Sequence, residues 1–150
     1  MDGIDINKLW QNFLDTITNH YIDFNGRVGR AQFWYYVLVV AVLAVGVGIV
    51  ASVTTHFLSS LFALALLLPN LGMGARRLHD IGQPTMLVFL PLIPTVLAYV
   101  FFFMFLWPLA ALCWLATLAA AIYLIYLYIQ PGNEGSNAFG PPPAPWSPGK

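Results

Sequence analysis

Two short blocks hold nearly all the side chains that could do chemistry. Arg76, Arg77, His79, Asp80 and Gln83 fall within eight residues, and Arg27 and Arg30 precede them in the chain. Three chemistries fit these residue types. A carboxylate that orients His79 makes the imidazole a general base. Guanidiniums in excess over carboxylates make an anion site, because the planar fork grips a phosphate bidentately. Arginines at the end of an apolar helix also anchor it at a membrane surface. If one helix runs through Asp80, Arg76 is four residues from it and Arg77 three, so both share its face. His79 stands on the edge of that face. If the two blocks meet, four guanidiniums surround one carboxylate and one imidazole, and net positive charge remains. The expected ligand set is Arg27, Arg30, Arg76, Arg77 and His79, with Asp80 as the structural salt bridge. The expected ligand is an anionic lipid headgroup or another phosphate-bearing molecule.

Catalysis is the weaker reading. His79 and Asp80 are adjacent, and adjacent helical residues do not face each other. A carboxylate for His79 has to come from Asp23 or Glu134. No serine or thiol nucleophile stands near, and Gly26–Arg30 lacks the Lys-Ser/Thr of a phosphate loop. No catalytic residue, metal ligand or cofactor is assigned.

The elements that must position these residues are apolar. Hydrophobic residues make up 59% and charged residues 8%, against roughly 25% charged in soluble domains. No Asp, Glu, Lys or Arg occurs from Ala31 to Ala75 or from Ile81 to Asn133. A membrane helix needs about 20 apolar residues, so each run fits two spans. The expected spans are 33–53, 57–74, 86–106 and 109–129. Thr54-Thr55-His56 and Trp107-Pro108 form the turns between them. His20 and His79 then lie on the side opposite His56, so the three cannot share a metal. The fold class is an all-α membrane protein, a bundle of four transmembrane helices. Residues 1–24 form a lead, 25–130 the membrane domain and 131–150 a Gly/Pro-rich tail. The polar lead before the first apolar run is unlike a cleavable signal peptide.

With four spans, Lys8, Arg27, Arg30, Arg76, Arg77 and Lys150 share one side. The positive-inside rule makes that side cytoplasmic, with both termini there. The formal charge is zero, so nothing steers the chain to nucleic acid. The single Cys113 allows no internal disulfide and reads as a packing residue.

Outside the spans, Ile6, Leu9, Trp10, Phe13, Leu14, Ile17 and Tyr21 recur at helical spacing. Asn12 and Asp15 lie on the other face. This amphipathic helix either lies in the membrane interface or packs under the bundle. Prolines 131, 141, 142, 143, 145 and 148 exclude a helix from the tail, and its last ten residues are expected to be extended and mobile. Ala44-Gly48-Ser52 and Cys113-Thr117-Ala121 form small-residue ridges suited to close helix packing or to a homo-oligomer contact. Pro69, Pro91 and Pro94 are expected to kink their helices and splay the bundle beside the charged loop. Asn70, Thr95 and Thr117 are the polar groups within the spans that a small transporter or channel would use.

The blocks Gly26–Trp34 (GRVGRAQFW), Arg76–Asp80 (RRLHD) and Gly132–Gly140 (GNEGSNAFG) resemble, in this order, the bacterial inner-membrane proteins of domain-of-unknown-function family 805. The resemblance covers roughly Tyr21 to Pro143. It implies four spans in the inner membrane and no established activity. The chain departs from the family pattern at Gln32, where an acidic residue is usual. It departs again at Gln83 to Met86, where a basic residue, Ser and Trp usually follow. The resulting expectation is a non-enzymatic scaffold or partner-interaction protein with an Arg-rich cytoplasmic cluster. Binding of an anionic headgroup, a small transporter, and a membrane enzyme using His79 are the alternatives. Its expected partners are membrane lipids, a second copy or another membrane protein.

Overall fold

A computed structural model describes residues 4–147. Helix α1 spans Ile6–Thr18, and Asp5 caps it by accepting from the Asn7 N–H at 2.9 Å. Helices α2 (Arg30–Val53) and α3 (Phe57–Asp80) form a first hairpin. A 3-10 turn, Thr85–Phe89, leads into α4 (Leu92–Phe103), which forms a second hairpin with α5 (Trp107–Ile129). Among the described residues, four segments are long and apolar enough to cross a membrane: 30–53, 57–80, 85–103 and 107–129. Val45, Ile49, Leu64, Leu118 and Ile122 on these helices are all more than half exposed. Such a surface is stable only against lipid or another apolar face.

Helix α3 runs six residues past the expected span, so the Arg76–Asp80 block is helical and buried. Pro91 and Pro94 lie where the third segment breaks between the 3-10 turn and α4, not inside a continuous helix. They open α4, where a missing backbone donor costs nothing, and the 3-10 turn takes up the break. Nor do the hairpins part beside the charged loop. Leu78, Val88, Leu124 and Leu127 form a cluster there that joins α3, the 3-10 turn and α5. A second cluster of Phe13, Val28, Phe33, Tyr36, Leu66 and Met73 joins α1, α2 and α3. Helix α3 is therefore the shared element.

The two ridges behave differently. Thr117 faces α4, its Oγ1 lying 3.2 Å from Thr95 Oγ1, and Ala98 and Ala110 are buried in the same seam. The Ala44-Gly48-Ser52 ridge points outward, with nothing within 4 Å of a Cβ placed on Gly48. Larger side chains, Leu43 and Phe62 among them, set the α2–α3 contact.

Helix α1 buries Asn12 and Thr16 beside Phe13, although Asn12 belongs to its polar face by sequence. The reason is an amide pair. Gln32 Nε2 donates to Asn12 Oδ1 at 3.0 Å, and Asn12 Nδ2 donates to the Gln32 carbonyl at 3.2 Å. Ile6, Trp10 and Leu14 stay exposed.

The chain after α5 has neither helix nor regular strand among the described residues, yet it runs back over the start of α2. Pro143 lies against Gly29, and the Trp146 ring is 5.7 Å from Tyr35. Pro148 and Lys150, which figure in the tail and charge patterns, lie outside the described residues.

Candidate functional site

Asp80 is the last residue of α3. Arg77 sits one turn earlier on the same face, and its Nη1 donates to Asp80 Oδ2 at 2.5 Å. Arg27 arrives from the loop before α2. Its Nε donates to Asp80 Oδ1 at 3.1 Å, and its Nη2 is 3.0 Å from the same oxygen. All three side chains are at most 4% exposed. Two cations and one anion thus share a buried site, and burial of an unbalanced charge is costly unless it finds further partners.

Those partners are backbone carbonyls. Arg77 Nε donates to the Tyr128 carbonyl at 3.1 Å, and its Nη2 donates to the Gln130 carbonyl. Arg30 Nη1 donates to the Ile129 carbonyl between them at 3.3 Å. These are the last carbonyls of α5, where the helix dipole leaves roughly half a negative charge. Arg27 Nη1 donates to the carbonyls of Gly135 (2.7 Å) and Gly140 (3.2 Å). Its Nη2 donates to the carbonyls of Asn133 (2.5 Å) and Asp80 (3.3 Å). The Asn133 N–H returns a bond to the Asp80 carbonyl at 2.8 Å. A Cβ at Gly132 would run into the Asp80 carboxylate, so glycine is required there.

His79 points to a neighbouring side of the helix. Its Nδ1 lies 3.0 Å from the Gly26 carbonyl and its Nε2 lies 2.7 Å from Thr85 Oγ1. A carbonyl only accepts, so Nδ1 is the donor to Gly26, while Nε2 pairs with the Thr85 hydroxyl. The ring stacks on Phe139 at 3.9 Å and 3°. Asn137 Nδ2 donates to the His79 carbonyl at 2.8 Å. Neither Asp23 nor Glu134 faces the imidazole: Asp23 Oδ2 takes His20 Nδ1 at 2.7 Å, and Glu134 is exposed.

Arg76 belongs to a different environment. Successive helical residues are about 100° apart, so Arg77 can meet Asp80 while Arg76 turns towards α1 and the 20–25 loop. It is 6% exposed, and among the described residues its Nε and Nη2 have no hydrogen-bond partner. Asp23 lies within its field. Burial raises the Asp23 pKa, but the Asn25 N–H, the His20 contact and the charges of Arg76 and His20 together hold it below the usual carboxylate value. The Asp23 carbonyl rests on Gly72, where a Cβ would approach it to 2.8 Å.

The residues expected to form one site therefore divide. Arg27, Arg77 and Asp80 form a buried knot, His79 sits beside it, Arg30 caps α5 from the exposed side, and Arg76 stands apart. Sequence reasoning missed the carbonyl acceptors, Thr85 and Phe139. The glycines and Asn137 of the 132–140 block were the available signal for the returning chain. The polar groups of the spans also divide: Tyr36 donates to Asn70 Oδ1 at 2.8 Å in the first hairpin, while Thr95 and Thr117 pair in the second.

The segments meeting at the knot all fall within one family match. The family described as "Protein of unknown function (DUF805)" matches residues 21–141. The chain belongs to this family. Similar curated proteins are Inner membrane protein YhaI of Escherichia coli (strain K12) and the protein of the same name in Escherichia coli O157:H7. Each is 31% identical over 93 residues, covering 58% of this chain and 79% of the relative. No solved structure matches the chain. The relatives are inner-membrane proteins by name, and the four apolar helices make this member of the DUF805 family a membrane protein too.

Proposed function

We propose that this DUF805 protein is a non-enzymatic scaffold of the bacterial inner membrane. Its knot end and both flanking segments face the cytoplasm, because Arg27, Arg30, Arg76 and Arg77 gather there while the 54–56 and 104–106 turns carry no Lys or Arg. The carrying observation is that the Arg27 and Arg77 donors are taken by Asp80 and by carbonyls of 128–140. His79 is likewise held by Gly26, Thr85 and Phe139. Groups so engaged build a surface for partners rather than a cleft for substrate. The 134–138 loop is the part of that surface with most exposure. A photo-crosslinking residue at Ser136 in living cells should give discrete protein adducts that one at lipid-facing Val45 does not. Lipid adducts alone at both positions would contradict the scaffold.

A second reading, binding of an anionic headgroup, is favoured by Arg76. Its buried Nε and Nη2 require an acceptor, which is either water or a phosphate oxygen. Native mass spectrometry decides between them. Headgroup binding predicts a preference for phosphatidylglycerol over phosphatidylethanolamine that Arg76→Gln removes. Equal binding of both lipids by the unaltered protein rejects it.

A further inference from the structure

A cavity of about 190 Å³ opens between α2, α3 and α5, lined by Phe33, Tyr36, Val37, Val40, Asn70, Gly74 and Tyr128. We propose that it is a binding site for one phospholipid of the adjoining leaflet, with an acyl chain in the cavity and the phosphate at Arg30.

The placement comes first. Arg30, Phe33, Val37 and Val40 follow helical spacing and form one stripe on α2. From Arg30 to Val40 the helix rises about 15 Å. That is half of the roughly 30 Å hydrocarbon thickness, the depth of a single leaflet. The stripe begins with a cation and continues with an aromatic and two aliphatic side chains, which is the order of groups along a phospholipid.

The walls come second. The cavity is mostly apolar and partly open to the surface. It is large enough to take an apolar group, since an engineered cavity of about 150 Å³ binds benzene. Three polar groups converge on it. Tyr36 donates to Asn70 Oδ1 at 2.8 Å, which fixes the amide. The Asn70 amide N–H groups and the Tyr128 hydroxyl belong to residues that line the same cavity. Asn70 is an exposed amide well inside a span, where an unmatched donor is costly. The ester carbonyls of a glycerolipid are acceptors at this depth. Gly74 brings the Tyr128 hydroxyl close: a Cβ there would sit 2.7 Å from it.

The head comes third. Arg30 is exposed, and its Nη1 donates to the Ile129 carbonyl at 3.3 Å. Its outer donors can meet a phosphate without disturbing the Asp80 knot. The proposal shares the phosphate chemistry of the headgroup reading but places it at Arg30 rather than Arg76, and its acyl part stands without either.

The test uses the full chain in nanodiscs with a phosphatidylethanolamine that carries a diazirine in its acyl chain. Photolabelling should concentrate on peptides containing 33–40 and 70–74. Val40→Trp, which fills the cavity, should reduce that labelling at least tenfold. Asn70→Leu removes the polar contact without filling the space and should reduce it in a protein that keeps its helical content. Arg30→Gln should weaken retention of one lipid per chain about fivefold, the worth of one interfacial arginine. Inorganic phosphate should not compete. Labelling spread evenly over Val45 and Leu118, or unchanged in Val40→Trp, overturns the proposal. Loss in Val40→Trp with no change in Arg30→Gln keeps the acyl site and rejects the phosphate contact.

Discussion

At the scale of single residues, the polar end is decided by where backbone oxygens lie. Counting side chains gives four arginines against one aspartate and suggests a vacancy for an anion. Arg77 and Arg30 instead cap the last carbonyls of α5, and Arg27 fills itself with carbonyls of 133–140. Carbonyls are present at every residue, so nothing in the sequence marks these as acceptors. The Arg77–Asp80 contact was legible from their spacing. The separation of Arg76 was not, because both spacings satisfy the same rule until the partner's position is known. Asp23, outside the spans, contributes a pH dependence. Its folded pKa lies below the ordinary carboxylate value of 3.8, so its contribution to stability is present above that value. The contribution is lost as pH falls through the lower folded value. Acid titration of detergent-solubilised protein should show wild type losing stability below pH 3.8 more steeply than Asp23→Asn; parallel curves would refute the role of Asp23.

At the scale of elements, run length and charge gave four spans and the first turn, because hydrocarbon thickness constrains helix length strongly. The second turn falls at 104–106, and Trp107-Pro108, expected to form it, instead open α5, where proline is tolerated. Run length and charge could not give the end of α3. Ala75–Asp80 is polar enough to read as a loop, and it is helical because Leu78 and the Asp80 knot bury it. Prolines misled at α4 since their position in the first turn, not their number, sets their effect. The outward Ala44-Gly48-Ser52 ridge likewise depended on which α2 face the larger side chains claimed. The tail is the element with most at stake. Ending the chain after Gln130 strips Arg27 of the Asn133, Gly135 and Gly140 carbonyls and leaves charge in a buried site. Stability should fall by several kcal/mol, on the order of 3–5, as read from denaturant titration in detergent. A truncated protein as stable as the full chain would show that the tail only rests on the bundle.

At the scale of the whole molecule, two hairpins are joined at one end by a polar knot and by the apolar clusters beside it. Their outer surfaces are left to lipid. The three sequence blocks of the family resemblance are the three strands of that knot: Arg27 from the first, Arg77 and Asp80 from the second, the Gly132–Gly140 carbonyls from the third. The proposed orientation puts this end in the cytoplasm. Ser136→Cys should react with a membrane-impermeant maleimide only in inverted vesicles, and Thr55→Cys only in intact spheroplasts. The reverse pattern would turn the molecule over. If the protein itself neutralises the charge of the knot, Arg27 and Asp80 are energetically coupled, and a double-mutant cycle measures that coupling. Asp80→Asn, Arg27→Gln and the double variant are compared by unfolding free energy in lipid-depleted detergent. Asp80→Asn alone should cost about 3–5 kcal/mol, because it leaves buried guanidiniums without their anion. The pair should couple by about 1–3 kcal/mol, as groups in one network do. Additive costs, with no coupling, would mean that Arg27 and Asp80 are balanced separately and that the knot is not what closes this end of the molecule.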